Sequence, residues 1–169
     1  IVYRKKDEVE EVEPEFKFSV DFNGVVLAGK IDGKVRKEGR IWIKEYKTTS
    51  SADIDKYLLS LDMNFQVDFY LLAMQLQGAE AEGVMYEVIR KPLIKQRVGE
   101  KLEDYLRRIK KDYIKRPEHY FFRTFVYRGK EELEEFKREV ELIIDDFRDA
   151  QSNNRFYRNP HFCSQYREC

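Results

Sequence analysis

The sequence predicts an α/β fold: a mixed β-sheet, an antiparallel meander extended by a parallel strand, flanked by helices. Three observations predict it. Phe16, Phe18, Val20 and Phe22 alternate with Lys17, Ser19 and Asp21, the period of two that marks a half-buried strand. Asn23-Gly24 and Glu38-Gly39 are turn signals that split the following stretch into hairpin-connected strands. A later strand pattern is separated from these by a helical one, and that order builds a crossover and a parallel pair.

Residues 1–15 are charged, carry Pro14 and read as a strand-like lead-in or a loose end. Strands follow at Phe16–Phe22, Val25–Val35 and Arg40–Lys47, then a polar loop at 48–52. A short helix is expected at Asp53–Leu59. Asn64 then caps a longer helix to Gln77, with Phe65, Phe69, Leu72, Ala73 and Leu76 as its apolar face and Gly78 as its stop. Val84–Ile89 is a fourth strand, ended by Lys91-Pro92. Gly99–Arg116 reads as a helix with Leu102, Tyr105, Leu106, Ile109 and Tyr113 inward, and Pro117 ends it. Tyr120–Tyr127 is a fifth strand. Lys130–Ala150 is a long helix with Leu133, Phe136, Val140, Ile143, Ile144 and Phe147 as its stripe, followed by a polar tail with Asn159-Pro160 as a turn.

The 169 residues suit one domain, 1–169, with its own core. Hydrophobic residues at 42% argue for folding, and no apolar run approaches the roughly 20 residues of a membrane helix. With no signal peptide, a cytoplasmic setting is the default. Lys plus Arg equal Asp plus Glu at 32 each. This excludes a protein that grips nucleic acid by bulk charge, though not one with a local basic groove. A start at Ile1 and a stop at Cys169 read as cuts through a longer protein.

The chemistry concentrates in Gly29-Lys30-Ile31-Asp32 and Trp42-Ile43-Lys44-Glu45-Tyr46-Lys47-Thr48. On a strand Glu45 and Lys47 share a face, and the turn at Glu38-Gly39 brings Asp32 back beside them. Two carboxylates and an ammonium beyond Ile41 and Ile43 are equipment for a divalent metal and a phosphate, because buried charges need a partner or a metal. The bland alternative is a strand that emerges into solvent at Glu45 with a surface pair. Glu-x-Lys is a weak signal in so charged a chain, and Glu135-Phe136-Lys137 repeats it on a helix. Farther on, Gln66 and Tyr70 stack four residues apart on one helical face. Their bland reading is a surface amide beside a core tyrosine.

Taken together and in this order, these motifs resemble the PD-(D/E)XK nuclease superfamily, and within it the RecB-like exonucleases of phage and CRISPR systems. The resemblance covers residues 15–90 with named motifs. It implies a restriction-endonuclease-like fold and a metal-dependent deoxyribonuclease, an exonuclease of phage or recombination and repair type, acting on DNA. Asp32 and Glu45 would ligate Mg²⁺ or Mn²⁺, with the Tyr46 carbonyl as a further ligand. A metal-held water would attack the phosphodiester, Lys47 would orient that water and stabilise the transition state, and Gln66 and Tyr70 would brace the site or contact the DNA backbone.

The chain departs from the family at both ends. RecB-like members carry a further metal ligand on an upstream helix, which would lie before Ile1; Glu13 or Glu15 would be its substitute. Some also hold a [4Fe–4S] cluster on four cysteines, and Cys163 and Cys169 look like two of them, with two free tail thiols as the alternative. For DNA contact the candidates are Arg107, Arg108, Lys110, Lys111, Lys115 and Arg116 on the third helix, Lys34, Arg36 and Lys37 near the turn, and Arg155, Tyr157 and Arg158 in the tail. A solvated helix face is the ordinary meaning of such a run. His119 and His161 read as structural or surface residues. The rivals to the enzyme are a catalytically silent nucleic-acid-binding or interaction module with the same fold, and a structural domain of a helicase–nuclease.

Overall fold

Strands β1 (Val9–Phe22) and β2 (Val25–Lys37) form a long antiparallel hairpin, and β3 (Arg40–Thr49) continues the meander. Both turns hold two consecutive residues at positive φ, Asn23 at 52° with Gly24 at 75°, and Glu38 at 52° with Gly39 at 77°. That backbone twist matches the twist of the strands it joins, and glycine adopts it without steric cost. Helices α1 (Ile54–Asp62) and α2 (Phe65–Leu76) then cross back to β4 (Val84–Arg90), which lies parallel to β3. After α3 (Leu102–Lys115) and a single turn α4 (Pro117–Tyr120), β5 (Phe121–Val126) pairs antiparallel with β4. The sheet order is β1-β2-β3-β4-β5, and helix α5 (Lys130–Ser152) follows. The computed structural model describes residues 9–156. By compactness the chain divides into residues 1–133 and 134–169. Among the described residues no helix is long and apolar enough to cross a membrane.

The expected mixed sheet is therefore present, with its parallel step where the crossover predicts it. Several elements differ from expectation. Of the two readings of the N-terminal stretch, residues 9–15 follow the strand-like one: they are the first half of β1, paired from Val9↔Lys37 with a register shift between Glu11 and Glu13. Pro14 is tolerated because β1 is an edge strand, where a missing N–H breaks no internal ladder. Tyr120 ends α4, and Tyr127 lies beyond β5.

The helix faces also differ. In α3 no residue is fully buried, and Leu102 and Leu106 are exposed, while Tyr105, Ile109 and Tyr113 are half-buried. In α5, Phe136, Val140 and Ile144 are buried but Ile143 and Phe147 are exposed. A stripe of spacing i, i+4, i+8 is narrower than the one expected. Helix α2 is the opposite case. Val67, Tyr70, Leu71, Leu72, Ala73 and Met74 are all buried and Phe65 is exposed, so the helix sinks into the core over more than one face. It packs there with Ile31, Ile43, Val84, Tyr86 and Val88 from the sheet. A smaller cluster of Val35, Trp42 and Met85 forms a separate core. Asn64 caps α2 as expected, its side chain accepting the Gln66 N–H, and Asp53 caps α1 in the same way through the Lys56 N–H.

Candidate active site

The ladder between β2 and β3 runs from Lys37↔Arg40 to Gly33↔Lys44. Asp32 and Glu45 are the next residue on each strand. There a side chain takes over from the ladder: the Asp32 carboxylate accepts the Tyr46 N–H at 2.9 Å. The acid thus ties the two strands where their backbone pairing stops, and it stays exposed. Glu45 is buried, 5% exposed, one strand face away from solvent.

Lys47, two residues on and therefore on the same face, donates to Glu45 Oε1 at 2.7 Å and to Gln66 Oε1 at 2.6 Å. Gln66 Nε2 donates to the Tyr70 hydroxyl at 2.6 Å, and that hydroxyl donates to the Lys30 carbonyl at 2.9 Å. The result is a relay from Glu45 on β3 through Lys47, Gln66 and Tyr70 to the Lys30 carbonyl on β2, the strand that carries Asp32. Gln66 and Tyr70 meet because they lie one turn apart on α2. The bland alternatives fail here for Gln66, which is half-buried and bonded to Lys47, and hold only in part for Tyr70, which is in the core but keeps a working hydroxyl.

Burial pushes the Glu45 carboxyl above its usual value; the Lys47 ammonium opposes this, and the nearby Asp32 charge adds to it. Burial also raises the Tyr70 hydroxyl, with the Glu45 charge assisting. Glu45 Oε2 is buried and has no hydrogen-bond partner, as is the Tyr86 hydroxyl; they are the two such side-chain atoms among the described residues. An orphaned carboxylate oxygen beside a second carboxylate is a costly arrangement for a protein alone. It fits a cation. Asp32, Glu45 and the Tyr46 carbonyl offer oxygen donors only, the set that suits Mg²⁺ or Mn²⁺. Among the described residues no cluster of three or more His, Cys, Asp or Glu forms. Two carboxylates are within the usual protein share for Mg²⁺, which keeps waters and takes substrate phosphate oxygens.

The proposed substitutes for a third ligand are engaged elsewhere. Glu15 pairs with Lys30 at 2.9 Å and Glu13 with Lys34 at 3.3 Å. The basic residues of α3 are also partly committed. Arg108 bonds both oxygens of Glu100, Arg116 bonds Asp112, and Arg107 bonds Asp104. Arg36 pairs with Glu10 and Lys37 with Glu38; Arg155 pairs with Asp149. His119 packs edge-on against Tyr120. Tyr157, Arg158, His161, Cys163 and Cys169 lie outside the described residues.

Gly29 is required for a reason the motif does not reveal. It pairs with Phe18 on β1, and a Cβ there would come 2.5 Å from the Phe18 ring. That ring lies over Gly29 and meets Tyr70 edge-on, with centroids 6.1 Å apart. Gly29→Ala should therefore displace Phe18 and, through it, Tyr70. The expected cost is about 1–3 kcal/mol of stability, as for other overpacked cores, read by denaturant unfolding; an unchanged midpoint would refute the packing account.

Two residues of this region carried no signal in the sequence. Arg128, after β5, reaches Asp68 on α2 and both the carboxylate and carbonyl of Asp62 at the end of α1. Its side chain is nearly buried, so it pins the corner between the helices that deliver Gln66. Tyr86 on β4 stands in register with Glu45. An arginine in a loop and a tyrosine in a strand are ordinary residues until the register is known.

A carboxylate within β2, a Glu-x-Lys on β3 and a Gln–Tyr pair on α2 thus converge at one site of this α/β fold. A model of the PD-(D/E)XK nuclease superfamily matches residues 2–169, and the chain belongs to that superfamily. A solved structure described as "Crystal structure of SSO0001" is 23% identical, over 66% of this chain and 52% of that one, with a TM-score of 0.33. The chain thus spans about half the length of that structure. No curated protein matches the chain.

Proposed function

We propose that the protein is a metal-dependent deoxyribonuclease of RecB-like type, an exonuclease of phage or recombination and repair systems, folded as one domain and working in the cytoplasm. The observation that carries the enzymatic reading is the orphaned Glu45 Oε2, buried beside Asp32 and within the same carboxylate that Lys47 grips. Asp32, Glu45 and the Tyr46 carbonyl would hold Mg²⁺ or Mn²⁺. When bound, the cation supplies charge that makes water a better nucleophile and offsets the growing negative charge on the phosphate. Lys47 keeps its ammonium aimed at the reacting phosphate, because Gln66 and Glu45 fix it from two sides. Gln66 in turn is held by Tyr70, so the lysine need not reorganise during the reaction. The exonuclease and RecB-like assignments rest on the resemblance, as does a [4Fe–4S] cluster of which Cys163 and Cys169 would supply two of the four ligands.

The second reading, a catalytically silent nucleic-acid-binding module, draws on the lack of a three-residue metal cluster among the described residues. Incubation with linear and closed circular DNA plus Mg²⁺ or Mn²⁺ separates the two. The enzyme degrades linear DNA, spares the circle and stops on chelation. DNA binding without metal-dependent cleavage would establish the silent module. Visible absorbance of the purified protein tests the cluster.

A further inference from the structure

The relay leaves one buried polar group without a task. Tyr86 is fully buried, and its hydroxyl has no hydrogen-bond partner. It sits on β4 directly in register with Glu45 on the parallel neighbour β3. Residues in register on adjacent strands present their side chains to the same face, within reach of one another. The Lys47 ammonium, which bonds Glu45 Oε1, lies 6.0 Å from the centre of the Tyr86 ring. The two partnerless buried polar atoms among the described residues are thus a donor and an acceptor on neighbouring side chains.

A phenylalanine would fill the Tyr86 site without stranding a hydroxyl, so the oxygen calls for a role. The terminal torsion of a glutamate is broad, and its carboxylate has about four acceptor positions. One can serve Lys47, one a cation and one a phenol. We infer that Tyr86 is a positioning residue for Glu45: its hydroxyl, through one buried water, holds the Oε2 side of the carboxylate while Lys47 holds Oε1. The carboxylate plane is then set before any cation arrives. A bridging water is reasonable here, since it would find two polar partners in an otherwise closed site. The inference rests on the metal-site reading above, which names Glu45 as a ligand but assigns nothing to β4.

The test is Mn²⁺ binding measured by calorimetry, in the whole chain, without substrate. Tyr86→Phe should weaken Mn²⁺ by about 10- to 100-fold, the usual effect of losing a group that orients a metal ligand. Val84→Ala, which empties a fully buried position on the same strand beside Ile43, should leave Mn²⁺ affinity unchanged and report the effect of loosened packing alone. Thermal melting in chelator confirms that both variants fold. Mn²⁺ bound by Tyr86→Phe as tightly as by the unaltered chain overturns the inference and leaves the metal site standing. Equal weakening by Val84→Ala overturns it as well, since packing then explains the loss. No Mn²⁺ binding by the unaltered chain overturns the inference together with the metal-site reading.

Discussion

Replacing Lys47 by alanine should abolish the proposed metal-dependent cleavage but not metal binding. The expected fall in rate is about 10²–10⁴-fold, the range for losing a positioned acid–base or charge-stabilising group. The physical argument lies in the two bonds of the ammonium. Gln66 and Glu45 hold it from two sides, whereas Lys44, on the opposite strand face, lies over the Tyr46 ring. Removing the Lys47 ammonium also takes a positive charge away from the proposed cation site. Mn²⁺ affinity should therefore hold or rise while turnover collapses. The metal-free variant should melt earlier, because Glu45 keeps its burial and loses its ion pair. Single-turnover cleavage and Mn²⁺ calorimetry on one preparation decide it. Cleavage at the wild-type rate would remove Lys47 from the mechanism.

Glu45→Gln is expected to have the opposite profile: a more stable fold that no longer binds the proposed cation. Burial raises the Glu45 carboxyl from its usual value of 4.5, so the folded protein holds this proton more tightly than the unfolded chain does. Stability from this group is then lost as pH rises through the window between 4.5 and the raised value, and the loss is complete above that window. The neutral amide has no such penalty. In chelator, the wild type should lose melting temperature between acidic and neutral pH by more than Glu45→Gln does, and at neutral pH the variant should melt higher. Its Mn²⁺ affinity should drop by more than the roughly 10- to 100-fold that an outer partner costs, and cleavage with it. Identical pH dependence in the two proteins would show that Glu45 is not buried as a charge.

The expected contrast between these two substitutions would mark a site whose residues serve a ligand rather than the fold. One should weaken the empty protein and the other strengthen it, yet both should end the proposed cleavage. A surface ion pair would do neither, since exposed pairs contribute little in either direction.

Much of this was legible in the chain. The alternation at Phe16–Phe22, the paired positive-φ turns and the helix cap at Asn64 depend on residues close in sequence, and the structure has them all. So do the shared face of Glu45 and Lys47 and the one-turn spacing of Gln66 and Tyr70. The errors lie where burial is decided by distant partners. Leu102 and Leu106 read as inward and are exposed, and Ile143 and Phe147 read as part of a buried stripe and are exposed too.

By itself the sequence determined the elements, their order and the residue pairs that local periodicity brings to one face. These are short-range consequences of backbone geometry. Only the tertiary structure decided that Asp32 replaces the ladder at Tyr46, that Lys47 reaches across to Gln66, that Arg128 pins the α1–α2 corner and that Tyr86 stands beside Glu45. Each joins strands or helices whose register is set by how whole faces pack. A register is a property of two elements together, and neither one's residues contain it.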